Sequence, residues 1–213
     1  MERIVCLAIG YICGLLQTGY LVGKMNHIDI RSKGSGNAGS TNALRVMGVK
    51  AGAMTLFGDC MKCVVAVLIC RAIFGASHPD ERLLLGMYAG VGATLGHNYP
   101  FWLKFKGGKG IAVLAALFIT TSPWMTLTGI IVFLGLVLIT RYVSVGSLAV
   151  SLLFAVEVIL FGQMGWFDLK APYLYEMYAL AIFICVLAWW RHRANIVRLL
   201  HGNENKFRSK KKA

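Results

Sequence analysis

Apolar runs of near-spanning length, separated by short polar or turn-forming breaks, repeat from one end of the chain to the other. They lie at 4–23, 51–74, 83–99, 111–121, 124–140, 145–161 and 174–190, with breaks such as His78-Pro79-Asp80-Glu81 and Gly162-Gln163. A helix needs about 20 apolar residues to cross the hydrocarbon core of a bilayer. The pattern therefore predicts an all-α integral membrane protein with about seven transmembrane helices. Residues 4–23 read as an uncleaved first span, since they lack the basic start and small-residue cleavage site of a signal peptide. The 111–121 stretch is too short to span alone at about 1.5 Å per residue. Ser122-Pro123 follows it, so 111–140 reads either as a short tilted helix before a span or as one broken unit.

Composition agrees with a membrane solvent. The 213 residues are 57% hydrophobic and 15% charged, against about 25% charged in soluble domains, which excludes a soluble protein and a disordered one. The net charge of +13 does not come from a basic soluble domain, and no nucleic-acid partner is expected. Segments 24–50, 100–110, 141–144 and 191–213 hold 17 of the 22 Lys and Arg residues. Positive loops stay in the cytoplasm, so the N-terminus is expected outside and the C-terminus inside. The chain reads as one transmembrane domain, 1–204, followed by a basic cytoplasmic tail, 205–213, lying against anionic headgroups. The six cysteines sit in or beside apolar runs and read as packing residues. Cys60-Met-Lys-Cys63 has no second pair or histidine pair to complete a metal site, and no metal or cofactor is expected.

The unusual polar sequence is concentrated in cytoplasmic segments. Gly34-Ser-Gly36-Asn-Ala-Gly39 fits a G-x-G-x-x-G pattern, but without the βαβ context of a dinucleotide site. What remains is a glycine-rich anion nest with Ser35, Gly36, Asn37, Ser40, Thr41 and Asn42 as donors and Arg45 as a cation able to hold phosphate bidentately. A second loop, Gly96-His97-Asn98-Tyr99-Pro100 through Lys104-Phe-Lys106-Gly107-Gly108-Lys109-Gly110, places lysines and glycines just before a helix start, where a second anion is favoured. Neither loop is an ATP-binding P-loop. Two such loops on one membrane face suit two phosphate-bearing molecules, with an acyl chain in the apolar body. His97 reads equally as catalyst, phosphate donor or capping group.

These loops, with Ser144-Val-Gly-Ser147 and Arg191-His-Arg-Ala-Asn195-Ile-Val-Arg198, resemble in order the motif series of bacterial acyl-phosphate:glycerol-3-phosphate acyltransferases, the PlsY type. The resemblance spans nearly the whole chain. It departs at Ala38 and Ser40, where the family often has Pro and Ala, and at Cys63, where Gly is frequent after the lysine of a D-x-x-K pair. It implies a bacterial inner-membrane enzyme, active at the cytoplasmic leaflet, that moves an acyl group from acyl phosphate to the 1-hydroxyl of glycerol 3-phosphate. The products implied are lysophosphatidic acid and phosphate, and no cofactor or oligomer is implied. By the same resemblance Ser35, Arg45 and Lys109 bind phosphate, Lys104 is a further cation, and His192 and Asn195 lie near the reacting hydroxyl as catalytic residues. Gly36, Asn37, Thr41, Asn42, His97, Gly107, Gly108 and Ser144 complete the substrate-binding set. An H-x-x-x-x-D motif, the signature of another acyltransferase class, is absent from the sequence.

Asp59 and Lys62 fall three residues apart within one span and read as an ion pair, since either charge alone is costly there. Glu157 reads as either snorkelling or protonated. A transporter is the main rival reading, but the two halves show no internal repeat of the kind transporters carry. A phosphate-binding scaffold would need only one cationic surface.

Overall fold

The computed structural model describes residues 1–207. Among them the helices run in the order α1 (Glu2–Gly14), α2 (Thr18–Met25), α3 (Ser40–Met47), α4 (Val49–Phe74), α5 (Arg82–Asn98), α6 (Ile111–Thr121), α7 (Pro123–Thr140), α8 (Val143–Gln163), α9 (Ala171–Arg191) and α10 (Arg193–Leu200). Five stretches are long and apolar enough to cross a membrane: Glu2–Met25, α4, α7, α8 and α9. α5 has 17 residues and α6 has 11.

The bundle closes through small residues where helices must approach. Gly10 and Gly14 on α1 face Gly92 and Gly96 on α5, so each helix presents a glycine pair four residues apart. A Cβ on Gly14 would lie 3.0 Å from the Ala93 Cα, and one on Gly96 would lie 3.0 Å from the Gly14 Cα. In lipid there is no hydrophobic gain from joining two helices, so close backbone packing of this kind carries the association.

The first apolar run is not one helix. The first span expected over 4–23 stands as Glu2–Met25, with its helix interrupted at Leu15–Gln17. The freed backbone groups are satisfied by distant residues: Trp102 Nε1 donates to the Leu15 carbonyl at 3.0 Å and Lys62 Nζ to the Leu16 carbonyl at 2.5 Å. The buried Gln17 amide fills the gap by donating to the carbonyls of Gly14, Gly96 and His97. Broken backbone inside a membrane protein persists only where other groups satisfy it in this way.

The 111–140 region resolves into two helices. Ser122 is extended and Pro123 opens α7. Gly129 lies against the Phe118 ring, since a Cβ there would meet it at 3.1 Å. One continuous helix would hold residues 118 and 129 about 16 Å apart, so α6 and α7 form a hairpin. The shortness of α6 follows from where it starts. Its preceding loop reaches Lys62, halfway along α4, through His97, while its far end receives Arg71 Nη2 at the Thr120 carbonyl, 2.5 Å. The stretch of α4 from Lys62 to Arg71 rises only about 14 Å, which 11 residues cover.

Glu157 does not snorkel. It is buried on α8, with Oε1 accepting from Thr128 Oγ1 of α7 at 2.6 Å. At the C-terminal end, the Phe207 N–H donates to the Arg141 carbonyl at 2.6 Å and Lys206 Nζ stands 5.9 Å above the Tyr142 ring. The start of the expected basic tail thus packs on the α7–α8 turn, and residues 208–213 of it lie outside the described residues.

Candidate active site

The loop between α2 and α3 is organised by one buried side chain. Asn42, in the first turn of α3, accepts from the Ser35 N–H through Oδ1 at 2.9 Å, and its Nδ2 donates to the carbonyls of Ile30, Lys33 and Asn37. Gly34 and Gly36 take the left-handed conformation, with φ of +60° and +71°, which costs an ordinary L-residue about 1–2 kcal/mol. The Gly36 N–H donates to the Lys33 carbonyl. The sequence predicts a nest of inward N–H groups for an anion. At residues 35 and 36 those groups are used to hold the loop, and Asn42 is the residue that holds it. The side chains of Ser35 and Asn37 remain at the surface of the cleft. Arg45 is exposed on α3, close enough for its charge to act on Lys109.

The loop before α6 folds back onto the end of α5. The Gly107 N–H donates to the Asn98 carbonyl at 3.2 Å and the Gly108 N–H to the His97 carbonyl at 3.0 Å. A Cβ on Gly107 would collide with the His97 carbonyl, and one on Gly108 would stand 2.6 Å from Cε1 of the His97 ring. Glycine is required at both positions by this approach. Arg191, at the end of α9, clamps the other side: Nη2 donates to the carbonyls of Gly107 at 3.0 Å and Gly108 at 2.7 Å, and Nε donates to Gly108 at 3.1 Å.

Beneath this loop lies a buried polar chain. Lys62 Nζ donates to Asp59 Oδ1 at 2.9 Å, to His97 Nδ1 at 2.8 Å and to the Leu16 carbonyl. Lys62 and Asp59 therefore pair as expected from their spacing, and they gain His97 as a third member. An ammonium only donates, so His97 Nδ1 is the acceptor and its proton sits on Nε2, on the side of Gly108.

The third contribution comes from α9 and α10. His192 is buried, with Nδ1 2.7 Å from the Ala188 carbonyl. A carbonyl only accepts, so Nδ1 holds the proton and Nε2 presents a lone pair. Burial, reinforced by the charge of Lys109, pushes His192 down to about 4. Lys109 Nζ donates to Asn195 Oδ1. Burial pushes Lys109 down to about 8, with Arg198 acting the same way and Glu204 opposing. Glu204 binds this group together, accepting from Asn195 Nδ2 at 2.7 Å, Arg198 Nε at 2.7 Å and Ser144 Oγ at 3.2 Å.

A cleft of about 810 Å³ opens between the two loops. Ser35, Gly36, Asn37, Lys104, Gly107 and Lys109 line it, joined by Arg31, Lys106 and Arg191. Asp29 is also in the wall, but Arg31 pairs with it at 3.0 Å, so the lining is strongly cationic. Of the remaining predicted residues, His192, Asn195 and Ser144 join this site through Lys109 and Glu204. His97, Gly108 and Asn42 stand behind it as supports, while Thr41 and Arg45 lie along α3. Sequence reasoning missed Arg191, Glu204 and Gln17. Arg191 enters the sequence reading only as the first residue of the C-terminal motif and as a positive-inside charge, and Glu204 has no role in it; a lone acid among cations is the available signal.

A cationic cleft backed by a buried, neutral imidazole can bind phosphate groups and orient a hydroxyl. The comparisons with known proteins agree. A family model described as glycerol-3-phosphate acyltransferase matches residues 4–202. The glycerol-3-phosphate acyltransferase of Halalkalibacterium halodurans is 39% identical over 207 residues, covering 96% of each chain. That of Clostridioides difficile is 40% identical, covering 98% of this chain and 97% of its own. The crystal structure of PlsY, an integral membrane glycerol 3-phosphate acyltransferase, in its glycerol 3-phosphate form superimposes with a TM-score of 0.83 at 32% identity, covering 98% of this chain and 96% of that one. Its lysophosphatidic acid form superimposes with a TM-score of 0.80. Family model, curated relatives and superimposed helical bundle thus agree along nearly the whole chain, which belongs to the glycerol-3-phosphate acyltransferase family, in its PlsY-type integral membrane form.

Proposed function

We propose that the protein transfers a fatty acyl group from acyl phosphate to the 1-hydroxyl of sn-glycerol 3-phosphate, releasing inorganic phosphate and forming lysophosphatidic acid. The hydroxyl oxygen bonds to the acyl carbonyl carbon, the carbon–oxygen bond to phosphate breaks, and the hydroxyl proton passes to His192 Nε2 or to a substrate phosphate oxygen. Acyl phosphate is already activated, so positioning and preorganised charge supply most of the catalysis. The observation that carries this reading is the meeting of residues 35–37 with residues 104–107 and Lys109, far apart in sequence, in one cationic cleft. The forms of PlsY solved with glycerol 3-phosphate and with lysophosphatidic acid support the same acceptor and product.

Ser35, Asn37, Thr41, Arg45, Lys104 and Lys109 bind the two phosphates, and Ser144 and Asn195 orient Lys109 and the acceptor with His192. Gly36, Asn42, His97, Gly107 and Gly108 serve binding by holding the two loops in shape. The chain crosses the bacterial inner membrane seven times, counting α1 with α2 as one crossing, with its N-terminus outside and its site at the cytoplasmic leaflet. The distribution of Lys and Arg supports that orientation. The depth of the loop before α6 supports an acyl donor approaching from the bilayer.

Purified protein incubated with labelled glycerol 3-phosphate and either palmitoyl phosphate or palmitoyl-CoA tests this. Lysophosphatidic acid is expected from the acyl phosphate, and Arg45→Ala should reduce kcat/KM about 10- to 100-fold, the loss of one charge-assisted contact. Product from palmitoyl-CoA alone would overturn the donor, and no product from either with folded protein would overturn the reaction.

A further inference from the structure

The bundle carries a second cleft at its opposite end. Arg71 in the last turns of α4 and Arg82 at the start of α5 line a cavity of about 390 Å³, together with Asp80, Thr120, Thr121 and Asp168. From Lys50 to Arg71, α4 rises about 30 Å, so this cleft and the acyltransferase cleft sit at opposite membrane faces.

The two guanidinium groups are packed reciprocally. A Cβ on Gly86 of α5 would stand 3.6 Å from Arg71 Nε, and one on Gly75, which ends α4, would stand 3.5 Å from Arg82 Nε. Each arginine occupies space left by a glycine beside the other. Two like charges are thereby held together, and among the described residues neither has a carboxylate within 4 Å; Lys170, not either arginine, takes the nearby Asp80. Among the described residues Arg71 is bonded only through Nη2 to the Thr120 carbonyl, and its buried Nε has no partner. A guanidinium offers five donors in a fixed fork, so most of the donors of this pair are uncommitted. Trp124 and Trp166, 60% and 52% exposed, flank this end, and exposed tryptophans mark headgroup depth.

We propose that Arg71 and Arg82 bind the phosphodiester of a membrane phospholipid in the leaflet opposite the acyltransferase site. Bidentate guanidinium contacts suit a phosphate, the apolar flanks of α4, α5 and α6 accept the acyl chains, and Asp168 on the remaining wall takes an ammonium or hydroxyl of the headgroup. The site is separate from the acyl-transfer chemistry and does not depend on the donor proposed above.

Lipid retention counted by native mass spectrometry tests it, with dioleoyl phosphatidylethanolamine, dioleoylglycerol and inorganic phosphate as probes. Wild-type protein should retain the phospholipid and not the diacylglycerol. Arg82→Gln, which breaks no hydrogen bond of the fold, should weaken retention about fivefold, the contribution of one cation at the membrane surface. Arg71→Lys keeps the charge but loses the fork and should weaken it less. Acyl transfer by Arg82→Gln should equal that of the wild type. Equal phospholipid retention in wild type and both variants would overturn the site. Equal retention of dioleoylglycerol would assign binding to the acyl chains alone, and inorganic phosphate bound in place of phospholipid would overturn the lipid assignment.

Discussion

The two glycine loops at the acyltransferase cleft look alike as sequence and are built in opposite ways. Residues 26–39 are held by a residue a few positions downstream, Asn42, whose amide satisfies one N–H and three carbonyls of the loop. Residues 99–110 rest on the adjoining end of α5, through the His97 ring and the His97 and Asn98 carbonyls, and are clamped from far away by Arg191, more than eighty positions later, on the other side. In both, glycine answers a steric demand more than it exposes N–H groups to a ligand. A local loop loses its own shape when its organiser is changed, whereas a clamped loop transmits damage into the buried Asp59–Lys62–His97 chain and the C-terminal group.

The strongest way to break that contrast is Gly108→Ala. The new methyl would meet the His97 ring, whose Nδ1 is fixed by Lys62, so it has no flexible neighbour to displace. Overpacking of this kind costs about 1–3 kcal/mol, and here it also moves Lys109. A fall in kcat/KM of more than about 100-fold is expected, accompanied by a lower thermal midpoint in detergent. Activity within a few-fold of wild type would show that the loop is not clamped against His97.

Asn42→Ala should act on the other loop alone. It strips partners from the Ser35 N–H and from three carbonyls, and each buried group left unpaired costs about 1–3 kcal/mol. Several of these groups can reach water at the loop surface, so about 2 kcal/mol in total is expected, roughly a 30-fold loss in kcat/KM. The thermal midpoint should move less than for Gly108→Ala, because the α4–α5 core is untouched. An equal midpoint loss in the two variants would erase the distinction between local and clamped loops.

The same contrast explains what could be read in advance. The apolar runs locate α4, α5, α7, α8 and α9 to within a few residues, because lipid imposes one requirement along each helix. The break after Gly14 was illegible: Leu15-Leu16-Gln17 carries no proline or glycine, and its backbone is satisfied by Lys62 and Trp102 from elsewhere. The loop residues are visible as donors and cations, but nothing in the sequence marks the Asn42 amide as an internal brace and not a ligand contact. Arg191 and Glu204 escaped because their partners, Gly107, Gly108, Ser144 and Asn195, become neighbours only after folding.

The pH dependence of kcat/KM sharpens the comparison further. Lys109 belongs to the clamped loop and stands at about 8; it is charged below that value and loses its charge above it. His192, at about 4, must be neutral to accept a proton, which it is above that value. Activity should rise through about 4, hold across neutrality, and fall about tenfold per unit once above about 8. Lys109→Arg should remove the alkaline limb, since a guanidinium keeps its proton. An unchanged alkaline limb in that variant would assign it to another group.

The smallest effect is expected where the local loop is least constrained. Gly36 sits at φ +71°, and the nearest atom to a Cβ there is the Arg31 carbonyl at 3.2 Å. Gly36→Ala thus meets mainly the backbone cost of a left-handed residue, about 1 kcal/mol, in a loop whose brace, Asn42, is unchanged. The expected outcome is a roughly fivefold fall in kcat/KM with the thermal midpoint within a degree or two of wild type. Asn tolerates the left-handed region better than Ala, so Gly36→Asn should recover part of the loss. If alanine and asparagine were equally damaging, the demand at this position would come from close approach of substrate to the backbone, and the first loop would then use its glycine as a ligand surface in a way the clamped loop does not.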